Sequence, residues 1–224
     1  MSGNRRKKYK KTGQILWSMK HVLIGILFLC LILLVIVGVT RRSRAVSAQQ
    51  VSRDVEEDMP ELDVQLLTVN EYSRPGIALD QINGIVIHYT ANPGTSAQAN
   101  RDYFEGLKDS HVTKASSHFI VGLEGEIVQC IPTAEIAYAS NERNSDTISI
   151  ECCYENEDGS FNQATYDSVV RLTAWLCARS GLNAEDVIRH YDVTGKMCPV
   201  YYVDNPDAWE QFRTDVTEEI ETYN

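Results

Sequence analysis

The sequence predicts an α/β domain carried behind a membrane-inserting segment, and three observations predict it. From about residue 81 onward, short apolar strand runs alternate with segments of helical spacing. Gly, Asn and Ser punctuate the joins between them. Upstream lies one apolar run, His21 to Thr40, with no Asp, Glu, Lys or Arg in it.

The basic tail, residues 1–20, comes first. Of the 21 Lys and Arg, 10 fall within residues 1–45, which hold no Asp or Glu. The remainder sets 11 Lys and Arg against all 31 Asp and Glu, a net of −20. The formal −10 of the whole chain therefore averages a basic tail and an acidic body. An acidic body repels phosphate, and no basic, aromatic-interleaved patch offsets this, which argues against nucleic acid as a partner.

The run "HVLIGILFLCLILLVIVGVT", residues 21–40, matches the roughly 20 apolar residues a helix needs to cross a bilayer. It lacks the polar stripe of a buried soluble helix. Seven Lys and Arg precede the apolar core of the run, and Arg41, Arg42 and Arg44 follow it closely. This bias puts the N-terminus in the cytoplasm and the body outside, as in a single-pass protein of the cell membrane. The tail can also lie on anionic headgroups. A signal peptide cleaved after "AVSA", at Ala48, is the competing reading. The apolar run is long for one, and three arginines intervene, so the uncleaved anchor is favoured.

Residues 41–80 read as an extracytoplasmic linker. "SRDVEEDMPELD" is polar and acidic, and Pro60 and Pro75 interrupt the stretch. Within it, "LDVQLLTVNEY" suits a short strand or helix packed on the domain. The body proper spans 81–224. "GIVIHYT" reads as a buried strand. "SAQANRDYFEGL" reads as a helix capped by Thr95 or Ser96. "SSHFIVGLEGEIVQCI" reads as a hairpin turning at Glu124-Gly125. "TISIECCY" is a further strand, on which Cys152 and Cys153 point to opposite faces. "NQATYDSVVRLTAWLCARSG" reads as a long amphipathic helix ended by Gly181. The loop "RHYDVTGKMCP" follows, and "DAWEQFRTDVTEEIETY" reads as the last helix. With Cys30 in the apolar run, five cysteines remain in the body, most of them read as small buried hydrophobes.

Chemistry concentrates in four places. His88 ends the strand "IVIH", and His190 and Cys198 lie eight apart around a Gly-containing loop able to fold back on itself. Taken singly, these are a core histidine, a loop histidine, and a buried thiol or half of a disulfide. Taken together, they can close a His–His–Cys face on a tetrahedral metal, with a donor set that suits zinc over magnesium or calcium. In "TISIECC", Ile148 and Ile150 share one face while Ser149 and Glu151 share the other. Glu151 is either a sheet-end surface residue or a general base facing a cleft. Lys196, two before Cys198, is either a solvated loop lysine or a cation aimed at an oxyanion.

The blocks "IVIHYTANPG", "ASSHFIVGLEGEIVQCIP", "DTISIECCY" and "IRHYDVTGKMCP" occur in this order over roughly residues 82–205. In this they resemble the zinc-dependent N-acetylmuramoyl-L-alanine amidases of the type 2 branch. Phage and bacterial endolysins and peptidoglycan recognition proteins share that fold. The resemblance implies a central mixed β-sheet flanked by helices, and Zn2+ held by His88, His190 and Cys198. It implies Glu151 as catalytic base and Lys196 as the lysine two before the third ligand. The substrate would be peptidoglycan, cut between N-acetylmuramic acid and L-alanine of the stem peptide. One departure stands out: a subgroup carries a catalytic tyrosine just before "HF", where this chain has Ser117, so that role does not carry over. His118 in the "HF" position either lines the cleft or is structural. The loop "AYASNERNSDTISIE" resembles the family's substrate groove, with Tyr138, Asn141 and Asn144 as contacts to glycan or peptide. The alternative is a non-catalytic peptidoglycan-binding or sensing module on the same fold; the complete ligand set with its glutamate favours the enzyme.

Overall fold

Branched apolar residues in period-two alternation make the centre of a six-stranded sheet. The computed structural model describes residues 56–223, together with Ile26, Cys30, Ile32, Leu33, Ile36 and Val37, which are helical. Those six apart, the expected tail and anchor lie outside the described residues. Among the described residues, no helix is long and apolar enough to cross a membrane. The chain divides into two compact units, 1–51 and 52–224, and the second carries everything that follows.

The strands are β1 (Asp63–Val64), β2 (Ile85–Tyr89), β3 (Phe119–Val121), β4 (Ile127–Gln129), β5 (Ile148–Cys152) and β6 (Val187–Arg189). Their order across the sheet is β1-β4-β3-β5-β2-β6. Only the β3–β4 hairpin is antiparallel; the other neighbours run parallel. The helices are α1 (Ala97–Ser110), α2 (Gln163–Ser180), α3 (His190–Thr194), α4 (Val200–Asp204) and α5 (Pro206–Glu221). The α/β architecture with a central mixed sheet is thus the expected one.

Alternation sorts the strands into two faces. Ile85, Ile87, Phe119, Ile148 and Ile150 pack with Val169, Leu172 and Trp175 of α2 and Phe212 and Val216 of α5. Ile120 and Val128 point the other way, onto Phe104 and Leu107 of α1. Cys152 belongs to the first layer and its neighbour Cys153 to the second. Cys130, Cys152, Cys153, Cys177 and Cys198 are all buried and unbridged. Burying an isoleucine stabilises by about 1.5–3 kcal/mol. A one-residue slip of β5 would exchange Ile148 and Ile150 for Ser149 and Glu151 on the apolar face, at a cost of roughly 3–6 kcal/mol. Hydrophobic packing on one face therefore fixes which residues appear on the other.

Local signals set the helix ends. Ser96 caps α1, its hydroxyl accepting from the Ala99 N–H. The Asn162 side chain accepts from the Thr165 N–H at 2.9 Å to start α2, and left-handed Gly181 ends it. In the hairpin turn, Gly125 has φ +82°, and a Cβ there would stand 2.9 Å from the Ala164 carbonyl oxygen and 2.8 Å from the Ser168 hydroxyl of α2.

Within the stretch read as linker, residues 63–79 pack on the body, as the reading of "LDVQLLTVNEY" as a packed segment expects. Strand β1 pairs with β4, Leu67 is fully buried, and the Leu67 N–H donates to the Cys130 carbonyl at 2.9 Å. Arg74 clamps the segment: Nε and Nη2 donate to the Glu135 carboxylate at 2.8 and 2.7 Å, and Nη1 to the Leu67 carbonyl at 2.8 Å. Only Leu67 and Ser73 of this stretch are fully buried, so it carries no periodic pattern to read. The hydrogen-bonded Arg74 guanidinium holds the Glu135 carboxyl below its ordinary range. A depressed carboxyl contributes stability above its unfolded value of 4.5 and loses it as pH falls through the folded value. Glu135→Gln is therefore expected to cost roughly 1.5–3 kcal/mol at pH 7. The deficit should shrink in denaturant melts taken below pH 4.5, and a deficit independent of pH would refute the charge-assisted clamp.

Candidate metal centre

His88 and Glu151 are register partners on the parallel strands β2 and β5. Parallel partners share a face, so the alternation that buries Ile87 and Ile150 on one side turns both polar residues to the other. Each is the penultimate residue of its strand, at the carboxyl end where open α/β sheets bind ligands.

The other two candidate ligands come from "RHYDVTGKMCP", which is not the plain loop the sequence suggested. His190–Thr194 form the short helix α3. The Asp192 carboxylate accepts from the Arg189 backbone N–H at 2.8 Å and from the Arg189 guanidinium at 2.7 Å, fixing the start of that turn. Gly195, at φ +76°, ends it in the left-handed conformation. The chain then folds back, and the Tyr191 N–H donates to the Cys198 carbonyl at 3.0 Å. That closure brings Cys198 beside His190 across eight residues of sequence.

One ligand atom from each of His88, His190 and Cys198 lies within 4.8 Å of the others, and all three residues are buried. His88 Nδ1 is 3.9 Å from Cys198 Sγ, and the two imidazole centroids are 4.6 Å apart. Each imidazole is held at its far nitrogen: His88 Nε2 is 3.2 Å from the Ser140 hydroxyl, and His190 Nε2 donates to Asn141 Oδ1 at 3.0 Å. His190 Nδ1 is left as a buried acceptor with no hydrogen-bond partner among the described residues. Glu151 Oε2 is likewise buried and unpartnered.

The electrostatics of the donor set fit a cation held between them. Burial, then His190 and Lys196, press His88 well below its ordinary value. Burial also lowers His190, with Lys196 adding to the effect. Both imidazoles are thus neutral, as metal ligands must be. Burial pushes the Cys198 thiol up to about 12, with Glu151 adding to the rise, so a thiolate there requires a positive charge beside it. Burial raises Glu151 to about 8, opposed by Lys196. Two neutral imidazoles, one thiol and an orphaned buried nitrogen fit a tetrahedral soft-to-borderline cation with one open position.

The centre opens into a cleft of about 380 Å³, which Glu151, Lys196, Tyr138, Asn141 and Asn144 also line. Asn141 reaches His190, and Asn144 Oδ1 accepts from the Ala139 and Ser140 N–H groups at 3.0 and 2.6 Å, shaping the loop that delivers Ser140. His118 stands apart from the cleft lining. It is fully buried, its Nδ1 accepting from the Ser149 N–H at 3.0 Å and its Nε2 donating to the Glu135 carbonyl at 2.9 Å. It ties β5 to the loop after β4. Ser117 is buried as well, its hydroxyl on the Ser149 carbonyl at 2.9 Å. Sequence reasoning missed Ser140 and Lys114. Ser140 sits in a loop whose approach to His88 depends on the fold alone. Lys114 carried one signal, as a rare cation in an acidic body.

A sequence model of the family described as N-acetylmuramoyl-L-alanine amidase matches residues 78–201. The chain is 40% identical over 161 residues to the N-acetylmuramoyl-L-alanine amidase CwlL of Bacillus licheniformis, covering 66% of this chain and 44% of that protein. It is 33% identical over 171 residues to the N-acetylmuramoyl-L-alanine amidase BlyA of Bacillus subtilis (strain 168), covering 67% of this chain and 45% of that protein. The chain thus spans less than half the length of these curated relatives. Among solved structures, a mutant endolysin from Bacillus subtilis aligns with a TM-score of 0.60 at 29% identity, over 70% of this chain and 99% of that one.

Proposed function

The chain belongs to the N-acetylmuramoyl-L-alanine amidase family, and on that premise we propose that it hydrolyses the amide between N-acetylmuramic acid and L-alanine of the peptidoglycan stem peptide. The observation that carries this reading is the convergence of His88, His190 and Cys198 beside Glu151, whose Oε2 has no hydrogen-bond partner among the described residues. His88, His190 and Cys198 would hold zinc. Bound there, zinc supplies a Lewis acid for the scissile carbonyl and for an attacking water. Ser140 and Asn141 hold the far nitrogens of the two imidazoles, which leaves Nδ1 of each as the atom that would hold the ion. Glu151 Oε2 takes the proton of the attacking water and returns it to the leaving amine nitrogen. Lys196 sets its ammonium in the cleft against the negative charge that develops on the carbonyl oxygen.

The charge-flanked apolar run 21–40 supports a single-pass anchor with the body outside the membrane, where peptidoglycan lies. Protease digestion of the body from the outside of wall-stripped cells tests that topology; full protection would reverse it. The activity is tested by digesting purified peptidoglycan with the zinc-loaded full chain. New L-alanine amino termini without new reducing sugar ends are expected. Reducing ends instead would mean glycan cleavage, and no products from any wall type would mean a binding module.

A further inference from the structure

Between residues 56 and 223 the chain has 10 Lys and Arg among 30 Asp and Glu. Seven of the ten are ion-paired to carboxylates. Lys114, Arg171 and Lys196 have no carboxylate within salt-bridge distance among the described residues, and two of these three, Lys114 and Lys196, line the metal cleft. An unpaired cation lining the cleft of so acidic a body is available to an anionic group of a ligand.

Lys114 is held in position. Its ammonium lies 5.9 Å from the Tyr72 ring centroid and 5.7 Å from that of Tyr138. The next two residues tie the backbone to the same tyrosines: the Ala115 N–H donates to the Tyr72 carbonyl at 3.1 Å and the Ser116 N–H to the Tyr138 carbonyl at 3.0 Å. The Tyr138 N–H donates back to the Ser116 hydroxyl at 2.9 Å. Tyr72 is in turn stacked on His111 at 4.2 Å. The lysine is thus pre-placed between two rings, which lowers the entropic cost of engaging a ligand.

The chemistry of a muramoyl peptide narrows the ligand. Its sugar hydroxyls and acetamido group are neutral, and its lactyl carboxyl is consumed in the scissile amide. Its anions are carboxylates of the peptide. We propose that Lys114, between Tyr72 and Tyr138, is an anion subsite that pairs with the free carboxylate of the second residue of the stem peptide, so that the enzyme prefers stems in which that carboxylate is not amidated. This rests on the amidase reading above.

The test uses the zinc-loaded full chain and two muramoyl tripeptides that differ only in a carboxylate or carboxamide at the second residue. The acid is expected to be favoured about tenfold in kcat/KM, through KM, as one charge-assisted hydrogen bond allows. Lys114→Gln should bring the ratio near one, and Lys114→Arg should restore most of it. No preference in the unsubstituted protein, a ratio that survives Lys114→Gln, or an equal loss on both substrates would overturn the subsite; the last would mark Lys114 as structural. If neither tripeptide is cut, the amidase reading fails, and calorimetric binding of the same pair decides the subsite alone. Tighter binding of the acid, lost in Lys114→Gln, would uphold it, and equal binding would overturn it.

Discussion

Glu151→Gln is expected to lower amide hydrolysis by about 10²–10⁴-fold, the range a positioned proton carrier supplies, while bound metal stays in place. The residue is not in the ligand group, yet it stands beside one ligand in strand register. Its Oε2 is buried without a partner, so no neighbouring side chain competes for the proton it handles. Burial raises it to about 8, so the acid form dominates at neutral pH until a cation beside it favours the charge. Glutamine preserves volume and removes the charge whose burial the fold opposes, so the metal-free variant should melt no lower than the unsubstituted protein. Rates on peptidoglycan, read alongside metal content, separate the outcomes. Loss of metal would place Glu151 among the ligands, and retained activity would move the base elsewhere.

Cys198→Ser should act by a different route, taking the metal and the activity together. A serine hydroxyl stays protonated near neutrality and is a poor donor to a borderline-soft cation, whereas a thiolate is a strong one. Replacing an outer partner of a metal ligand typically costs 10–100-fold in affinity or activity, and losing a ligand should cost more. Bound zinc is thus expected to fall from about one per chain to a small fraction after gel filtration, with hydrolysis following it. The fold should persist, because the tie that closes this loop runs through the Cys198 backbone carbonyl to the Tyr191 N–H. Metal analysis with circular dichroism checks both halves. Stoichiometric zinc in Cys198→Ser would remove the thiol from the site.

What could be read from the sequence follows from how local each signal is. His88 and Glu151 were legible because two-residue alternation beside "IVI" and "ISI" fixes their side of the sheet before any tertiary contact is known. The helices over 97–110 and 163–180 were legible because Ser96, Asn162 and Gly181 mark their ends. The short helix at His190–Thr194 was not, since five residues carry too little periodicity to stand out from turn-formers. Residues 63–79 showed their packing only through "LDVQLLTVNEY", because one buried leucine and one arginine clamp hold the segment, and neither is a pattern. Ser140 and Asn141 escaped as partners of the imidazoles because they approach from 52 and 49 residues away, a distance only the folded chain closes.

The side-by-side placement of His88 and Glu151 has a consequence for how such a protein can diversify. Their separation is set by the spacing of adjacent strands, about 4.8 Å between backbones, which no loop can stretch. The other walls of the cleft, with Lys114, Ala115, Tyr138, Ala139, Asn141 and Asn144, sit instead on connections, at 111–116 and 137–145. Exchanges there that spare Ser140 and Asn141, the partners of the two imidazoles, are expected to alter which polymers are accepted without retuning the reaction. Even a single-residue insertion within β2 or β5 would turn the candidate ligand His88 or the proposed base Glu151 toward the apolar core. Variation that survives selection should therefore gather in the connecting segments, and grafting those segments between homologues with Ser140 and Asn141 kept should transfer substrate preference while the reaction itself stays the same.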